Sequence, residues 1–126
     1  MPRQIITTPL APSSPLYSQG VRAGSHVFVS GTTGTDPVTG TLAGDTIQAQ
    51  TRQALLNCEA VLRAGGASLD DVVEVGILLA RPGDFAGMNE AYAECFPTDP
   101  PTRYAARLGP EVPGLLVSIR MTAVVA

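Results

Sequence analysis

Arg103 follows Pro100-Pro101-Thr102 and precedes a short apolar run, and this placement gives the first lead on chemistry. Two prolines stiffen the lead-in, because each fixes its own φ and biases the preceding residue away from helix. An arginine at the mouth of the following strand then presents its guanidinium fork in one place. A fixed fork grips a carboxylate through two parallel charge-assisted hydrogen bonds. The competing reading is a surface arginine paired with a neighbouring acid, an arrangement that is common and worth little. Three further positions offer polar groups to a small anion: Tyr17 in a proline-rich N-terminal loop, Ser30-Gly31 at a strand end, and Asn89 on a helix. Each also has a purely structural reading, as a loop closure, a strand terminus and an exposed helix residue.

Other chemistries find little support. The single histidine, His26, lies in a β-rich run, so a Ser-His-Asp or Cys-His pair would have to be built around that residue; it reads as structural. No cluster of His, Cys and carboxylates has metal-ligand spacing. No glycine-rich loop matches a phosphate cradle or a dinucleotide fingerprint. Ser30-Gly31-Thr32-Thr33-Gly34 follows a strand, but no helix begins there, and its use is limited to backbone N–H groups facing a small anion.

The elements that must position these residues belong to one expected domain, residues 1–126. Hydrophobic residues make up 44 % and charged residues 15 %, a lean polar surface that suggests burial against other copies of the chain. The eight basic residues are scattered arginines and the net charge is −3. Duplex binding needs a basic stripe, so nucleic acid is not an expected partner. Cys58 and Cys95 fall in helices and read as reduced core residues. No apolar run approaches the ~20 residues that span a bilayer, and no secretory leader is evident, so a cytoplasmic protein without membrane contact is expected.

Residues 3–7 form a short strand, residues 11–19 a loop, and residues 26–30 a second strand, followed by turn chemistry at Asp36-Pro37 to Gly40. Asp45 is placed to cap the longest helix, with Gln48 completing a capping box. Ile47, Thr51, Ala54, Leu55, Cys58, Val61 and Leu62 form its apolar stripe, and Gly65-Gly66 ends it. Residues 70–80 form a strand covered on both faces. Asp84 caps a second helix over residues 85–96, on which Phe85, Met88, Tyr92 and Cys95 keep helical spacing. Strands over 103–108 and 115–125 close the chain. In the last one, Val117, Ile119, Met121, Ala123 and Val125 face one way, and Leu116, Ser118, Arg120, Thr122 and Val124 the other. Two helices cannot cover both faces of a sheet of about six strands. They pack on one face, and another subunit is the natural cover for the other.

Pro15-Leu16-Tyr17-Ser18-Gln19-Gly20, Val29-Ser30-Gly31, Met88-Asn89-Glu90-Ala91-Tyr92, Pro101-Thr102-Arg103 and Val112-Pro113 occur in this order before the final strand. Together they resemble the RidA (YjgF) family of enamine/imine deaminases, from about residue 4 to the C-terminus. The resemblance implies a chorismate-mutase-like α+β fold assembled as a homotrimer, with clefts between subunits. It implies that Arg103 binds the carboxylate of a 2-imino or 2-enamino acid, that Tyr17, Ser30, Gly31, Asn89 and Pro113 line the pocket, and that backbone groups at Ala105 polarise the ligand or hold water. Water then attacks the imine carbon, releasing ammonia and a 2-keto acid, with no metal or organic cofactor. The family's final strand commonly carries a glutamate thought to activate that water. Ser118 stands in its place, and Arg120 replaces a second acid, leaving Arg120 to meet a second anionic group or a carboxylate at a subunit interface. The expected function is therefore hydrolytic deamination, with a non-catalytic keto-acid binder, or a deaminase of different substrate, as the alternative. The RNA cleavage sometimes attached to the family fits the acidic balance poorly.

Overall fold

A computed structural model describes residues 2–126. Among them, six strands and two α-helices run in the order β1 (Gln4–Ile6), β2 (Gly20–Ala23), β3 (His26–Thr33), α1 (Ile47–Ala64), β4 (Val72–Leu79), α2 (Phe85–Cys95), β5 (Thr102–Arg107) and β6 (Val117–Val124). The strands form one mixed sheet in the order β1-β2-β3-β6-β4-β5. All neighbours are antiparallel except β4 and β5, which are parallel and joined through α2. A parallel pair needs such a crossover, whereas the antiparallel β2–β3 pair needs only a tight turn.

The last strand sits in the middle of the sheet because its inner face is wholly apolar. Val117, Ile119, Met121 and Ala123 are all fully buried. Against them lie Val27 and Val29 of β3, Val75, Ile77 and Leu79 of β4, and the stripe of α1 from Ile47 to Leu62. Helix α2 flanks α1 and contributes Met88 and Tyr92 to the same core. The expected single-sided packing of the helices is thus seen. The opposite face carries Ser118, Arg120 and Thr122 of β6 with the exposed rings of Phe28 and Tyr104. His26 is also exposed, stacked on Phe28 with ring centroids 6.0 Å apart.

Several local expectations need correction. Helix α1 is capped by Thr46, whose Oγ1 accepts from the Ala49 N–H at 3.2 Å, not by Asp45. Gln48 does not return to the cap and instead donates to Glu90 on α2 at 3.2 Å. Asp84 occupies the cap position of α2 without a capping bond, because its carboxylate is taken by Arg81 Nε at 2.9 Å. Strand β2 has no expected counterpart. Its four residues, Gly-Val-Arg-Ala, lack a strand signature and become a strand only by pairing on both sides. Strand β3 also runs past its expected end at residue 30, through a bulge between Val29 and Thr32. Gly34, just beyond, lets the chain touch α1, where a Cβ would collide with the backbone carbonyl of Gln50.

Candidate functional site

Arg103 stands near the start of β5, opposite Val75 of β4, and the strand is pinned there by Thr102 Oγ1 donating to the Val73 carbonyl at 2.7 Å. Its guanidinium turns toward α2. Phe85, Met88, Asn89 and Tyr92 occupy successive places on one face of that helix, at the i, i+3, i+4, i+7 spacing that aligns side chains along a helix. Arg103 Nη1 donates to Asn89 Oδ1 at 2.7 Å and lies 3.9 Å from Met88 Sδ. Its Cζ is 4.8 Å from the centre of the Tyr92 ring and 5.5 Å from that of Phe85. Two aromatic faces and an amide oxygen stabilise the cation without neutralising it. Burial pushes the Tyr92 hydroxyl pKa up, and the nearby Arg103 charge partly opposes that shift.

The contrast with other arginines is informative. Arg52, Arg63, Arg81 and Arg120 each pair with a carboxylate. Among the described residues Arg103 has no such partner, so the reading of an ordinary surface ion pair is not what the structure contains. Its half-buried fork has one edge fixed by Asn89 and remaining N–H groups available to an incoming anion.

The other expected site residues gather elsewhere. Tyr17, Ser30 and Gly31 line a small recess with Ala11, Pro12 and Gln19. Ser30 and Gly31 are the two residues of the β3 bulge, a feature that re-aims backbone and side chains and recurs beside binding sites. The Ser30 hydroxyl donates to the Ser18 carbonyl at 2.5 Å. Ser118, on the uncovered face of β6, belongs to this group: its Oγ lies 3.1 Å from where a Cβ on Gly31 would sit. Ala105 stays with Arg103 on β5, opposite Ile77. Pro113 lines a separate open cleft with Arg107 and Glu111. Strands β6 and β4 lie between β3 and β5, which separates Ser30-Gly31 from Arg103 by about 14 Å at the usual strand spacing. Within one chain, then, the expected site residues form three groups, not one pocket.

Arg120 is engaged on the uncovered face. Nη1 donates to Glu74 Oε1 at 2.8 Å and Nη2 to Thr122 Oγ1 at 2.8 Å. The hydrogen bond to Glu74 holds its pKa above the ordinary arginine value. Both partners belong to its own chain.

Sequence reasoning missed the residues that set these positions. Gln19 is buried and ties the N-terminal loop down, accepting from the Thr8 N–H at 2.8 Å and donating to the carbonyls of Thr8, Ala11 and Pro12. Gln50 does the same for the approach to β6. Phe85, Met88 and Tyr92 read only as core spacing, although the same spacing with Asn89 marks the face that receives Arg103. Among the described residues no group of His, Cys, Asp and Glu is placed to hold a metal, and no helix is long and apolar enough to cross a membrane.

Residues 8–125 match the family described as endoribonuclease L-PSP. The chain belongs to the RidA (YjgF) family. It is 40 % identical over 123 residues to a RutC family protein of Pyrococcus horikoshii, covering 96 % of this chain and 97 % of that one. It is 38 % identical over 104 residues to a 2-iminobutanoate/2-iminopropanoate deaminase of Dermatophagoides farinae, covering 81 % and 80 %. The crystal structure of E. coli TdcF with bound serine superposes with a TM-score of 0.91 at 32 % identity, covering 98 % of this chain and 99 % of that one. The expected α+β fold of the family is therefore present, six strands backed by two helices.

Proposed function

We propose that this RidA-family chain hydrolyses small 2-imino and 2-enamino acids to 2-keto acids and ammonia. The observation that carries the reading is Arg103, a positioned, half-buried guanidinium held by Asn89 and two rings and lacking a carboxylate partner among the described residues. A ligand carboxylate supplies that partner. The deaminase name of the Dermatophagoides relative and the amino acid bound to TdcF are consistent with a ligand of this kind.

The separation of the site residues supports assembly as a homotrimer with shared clefts. The recess of Tyr17, Ser30, Gly31 and Ser118 from one subunit then faces Arg103, Asn89 and Ala105 of the next, with Pro113 at the margin. In that cleft the enamine takes up a proton at carbon to become the iminium. Water adds to the iminium carbon, a proton passes from the added water to nitrogen, and the C–N bond breaks to leave ammonium and the keto acid. A protonated imine is already electrophilic, so orientation and exclusion of bulk water carry much of the work. Ser118 and the Ala105 backbone can hold the water, but a serine hydroxyl is no base near neutral pH. General base catalysis is typically worth ~10²- to 10⁴-fold, so the acceleration here is expected to be modest.

The test is ammonia release from freshly generated 2-iminobutanoate by the native chain and by Arg103→Ala. Faster release by the native chain is expected. Equal rates, or none above the spontaneous reaction, overturn the reading. Ser118 itself favours a second reading, a keto-acid binder without turnover, which calorimetry with 2-ketobutyrate alongside the rate assay separates from the first.

A further inference from the structure

Beside the Arg103 guanidinium lies a pocket that the deamination step itself does not require. It holds about 240 Å³ and is lined by Leu79, Pro82, Phe85, Ala105, Ala106 and Arg107. Phe85 belongs to both features: its ring is 5.5 Å from Arg103 Cζ and also walls the pocket. It is 45 % exposed, a large apolar face in a place where a charged group is already poised. Ala105 follows Arg103 by two residues on the same face of β5, and residues two apart on a strand are separated by about 6.6 Å. That is the reach of a carboxylate followed by a branched four-carbon side chain.

The lining decides the chemistry of the occupant. Leu79, Pro82, Phe85 and the two alanines present hydrocarbon, and Arg107 is the one charged group. Arg107 is exposed and, among the described residues, no hydrogen bond or ion pair of its side chain fixes it, so it does not offer the positioned fork that Arg103 does. Ala105 sets the space, because a larger side chain at that position on the strand would project into the pocket.

We propose that this pocket receives the substrate's side chain, so that the protein favours 2-imino acids bearing bulky, uncharged apolar side chains over the alanine-type imine, with Ala105 as the residue that sets the size limit. The inference rests on the proposed role of Arg103 as the carboxylate anchor. Each methylene moved from water into such a pocket is worth about four-fold in affinity when fully buried.

The experiment measures affinity separately from turnover. Pyruvate, 4-methyl-2-oxopentanoate and 2-oxoglutarate are titrated calorimetrically into the native full-length protein, Ala105→Val and Ala105→Leu. In parallel, hydrolysis of imines generated from alanine and leucine by an amino-acid oxidase is followed for the native protein and Arg103→Ala. The branched keto acid is expected to bind at least about ten-fold more tightly than pyruvate. That ratio should shrink stepwise through the valine and leucine variants, and 2-oxoglutarate should gain nothing over pyruvate. Equal affinities, a preference for 2-oxoglutarate, or a ratio unmoved by both Ala105 variants overturns the pocket assignment. Hydrolysis unaffected by Arg103→Ala overturns the deaminase reading instead, and the keto-acid ratios still decide the pocket. No binding of any of the three overturns the pocket assignment, while the hydrolysis arm still decides the deaminase reading.

Discussion

Gln50→Leu removes a side chain that joins three parts of the chain. Gln50 is fully buried in the second turn of α1. Its Nε2 donates to the Gly44 carbonyl at 2.9 Å and the Gly114 carbonyl at 2.8 Å, and its Oε1 accepts from the Leu116 N–H at 2.9 Å. The helix thereby fixes both the loop that leads into it and the chain entering β6, next to Pro113 and two residues before Ser118. Leucine is close in volume, so the substitution leaves little cavity, but it strands the Leu116 N–H in the interior and removes the bonds to the carbonyls of two exposed glycines. At about 2 kcal/mol for the stranded N–H and about 1 kcal/mol for each of the two lost bonds to solvent-accessible carbonyls, less about 1 kcal/mol returned by the apolar side chain, the net loss is about 3 kcal/mol. That is a large share of the ~5–15 kcal/mol that holds an ordinary domain together. Urea unfolding at fixed protein concentration should show a midpoint lowered with little change in slope, and thermal melting should fall by about 10 °C. Hydrogen exchange at the Leu116 amide should rise more than at the amides of β4. A loss below about 1 kcal/mol, or an unchanged Leu116 exchange rate, would show that water or a backbone shift replaces these bonds, and would refute the reasoning.

Three further outcomes are expected. Asn89→Ala frees one edge of the Arg103 guanidinium and should weaken 2-ketobutyrate binding about ten-fold, read by calorimetry, with fold stability nearly unchanged. Ser118→Glu places an acid beside the Gly31 bulge and should raise imine hydrolysis by at least ten-fold, with a new acid limb in the pH–rate profile; an unchanged rate would place the water elsewhere. Burial pushes the Cys58 thiol pKa up to about 12, so it should resist thiol reagents at pH 8 in the native protein and react fully in denaturant. Because the folded thiol stays protonated while the unfolded one ionises near pH 9, the unfolded chain binds fewer protons above that pH. Stability from this group is therefore complete below about pH 9 and falls by about 1.4 kcal/mol per pH unit from there toward pH 12, a contribution that Cys58→Ala should subtract from the pH dependence of unfolding.

Periodic features of the chain were readable without a structure. The stripe from Ile47 to Leu62 and the alternation from Val117 to Ala123 each bury a continuous face, and burial of that kind scales with composition along one element. Capping was less legible. Asp45 and Thr46 are both competent caps, and the backbone geometry at Thr46 decided between them; Asp84 has the right position but found a nearer cation in Arg81. Strand β2 escaped notice because its four residues carry no pattern of their own and draw their conformation from β1 and β3.

By itself the sequence determined which residue types are available for chemistry, which faces of α1 and β6 must be buried, and the order of motifs that marks the family. Which of those residues meet was settled by tertiary packing. It set Arg103 against Asn89, Phe85 and Tyr92 on a neighbouring helix, with no acid partner among the described residues, and it bound Arg120 to Glu74. It also placed two strands between Ser30-Gly31 and Arg103, so that within one chain they do not share a pocket. The physical reason is range: periodicity and local propensity act over a few residues, whereas the partner of a charge is chosen by strand order and helix crossing, which bring together residues far apart in the chain.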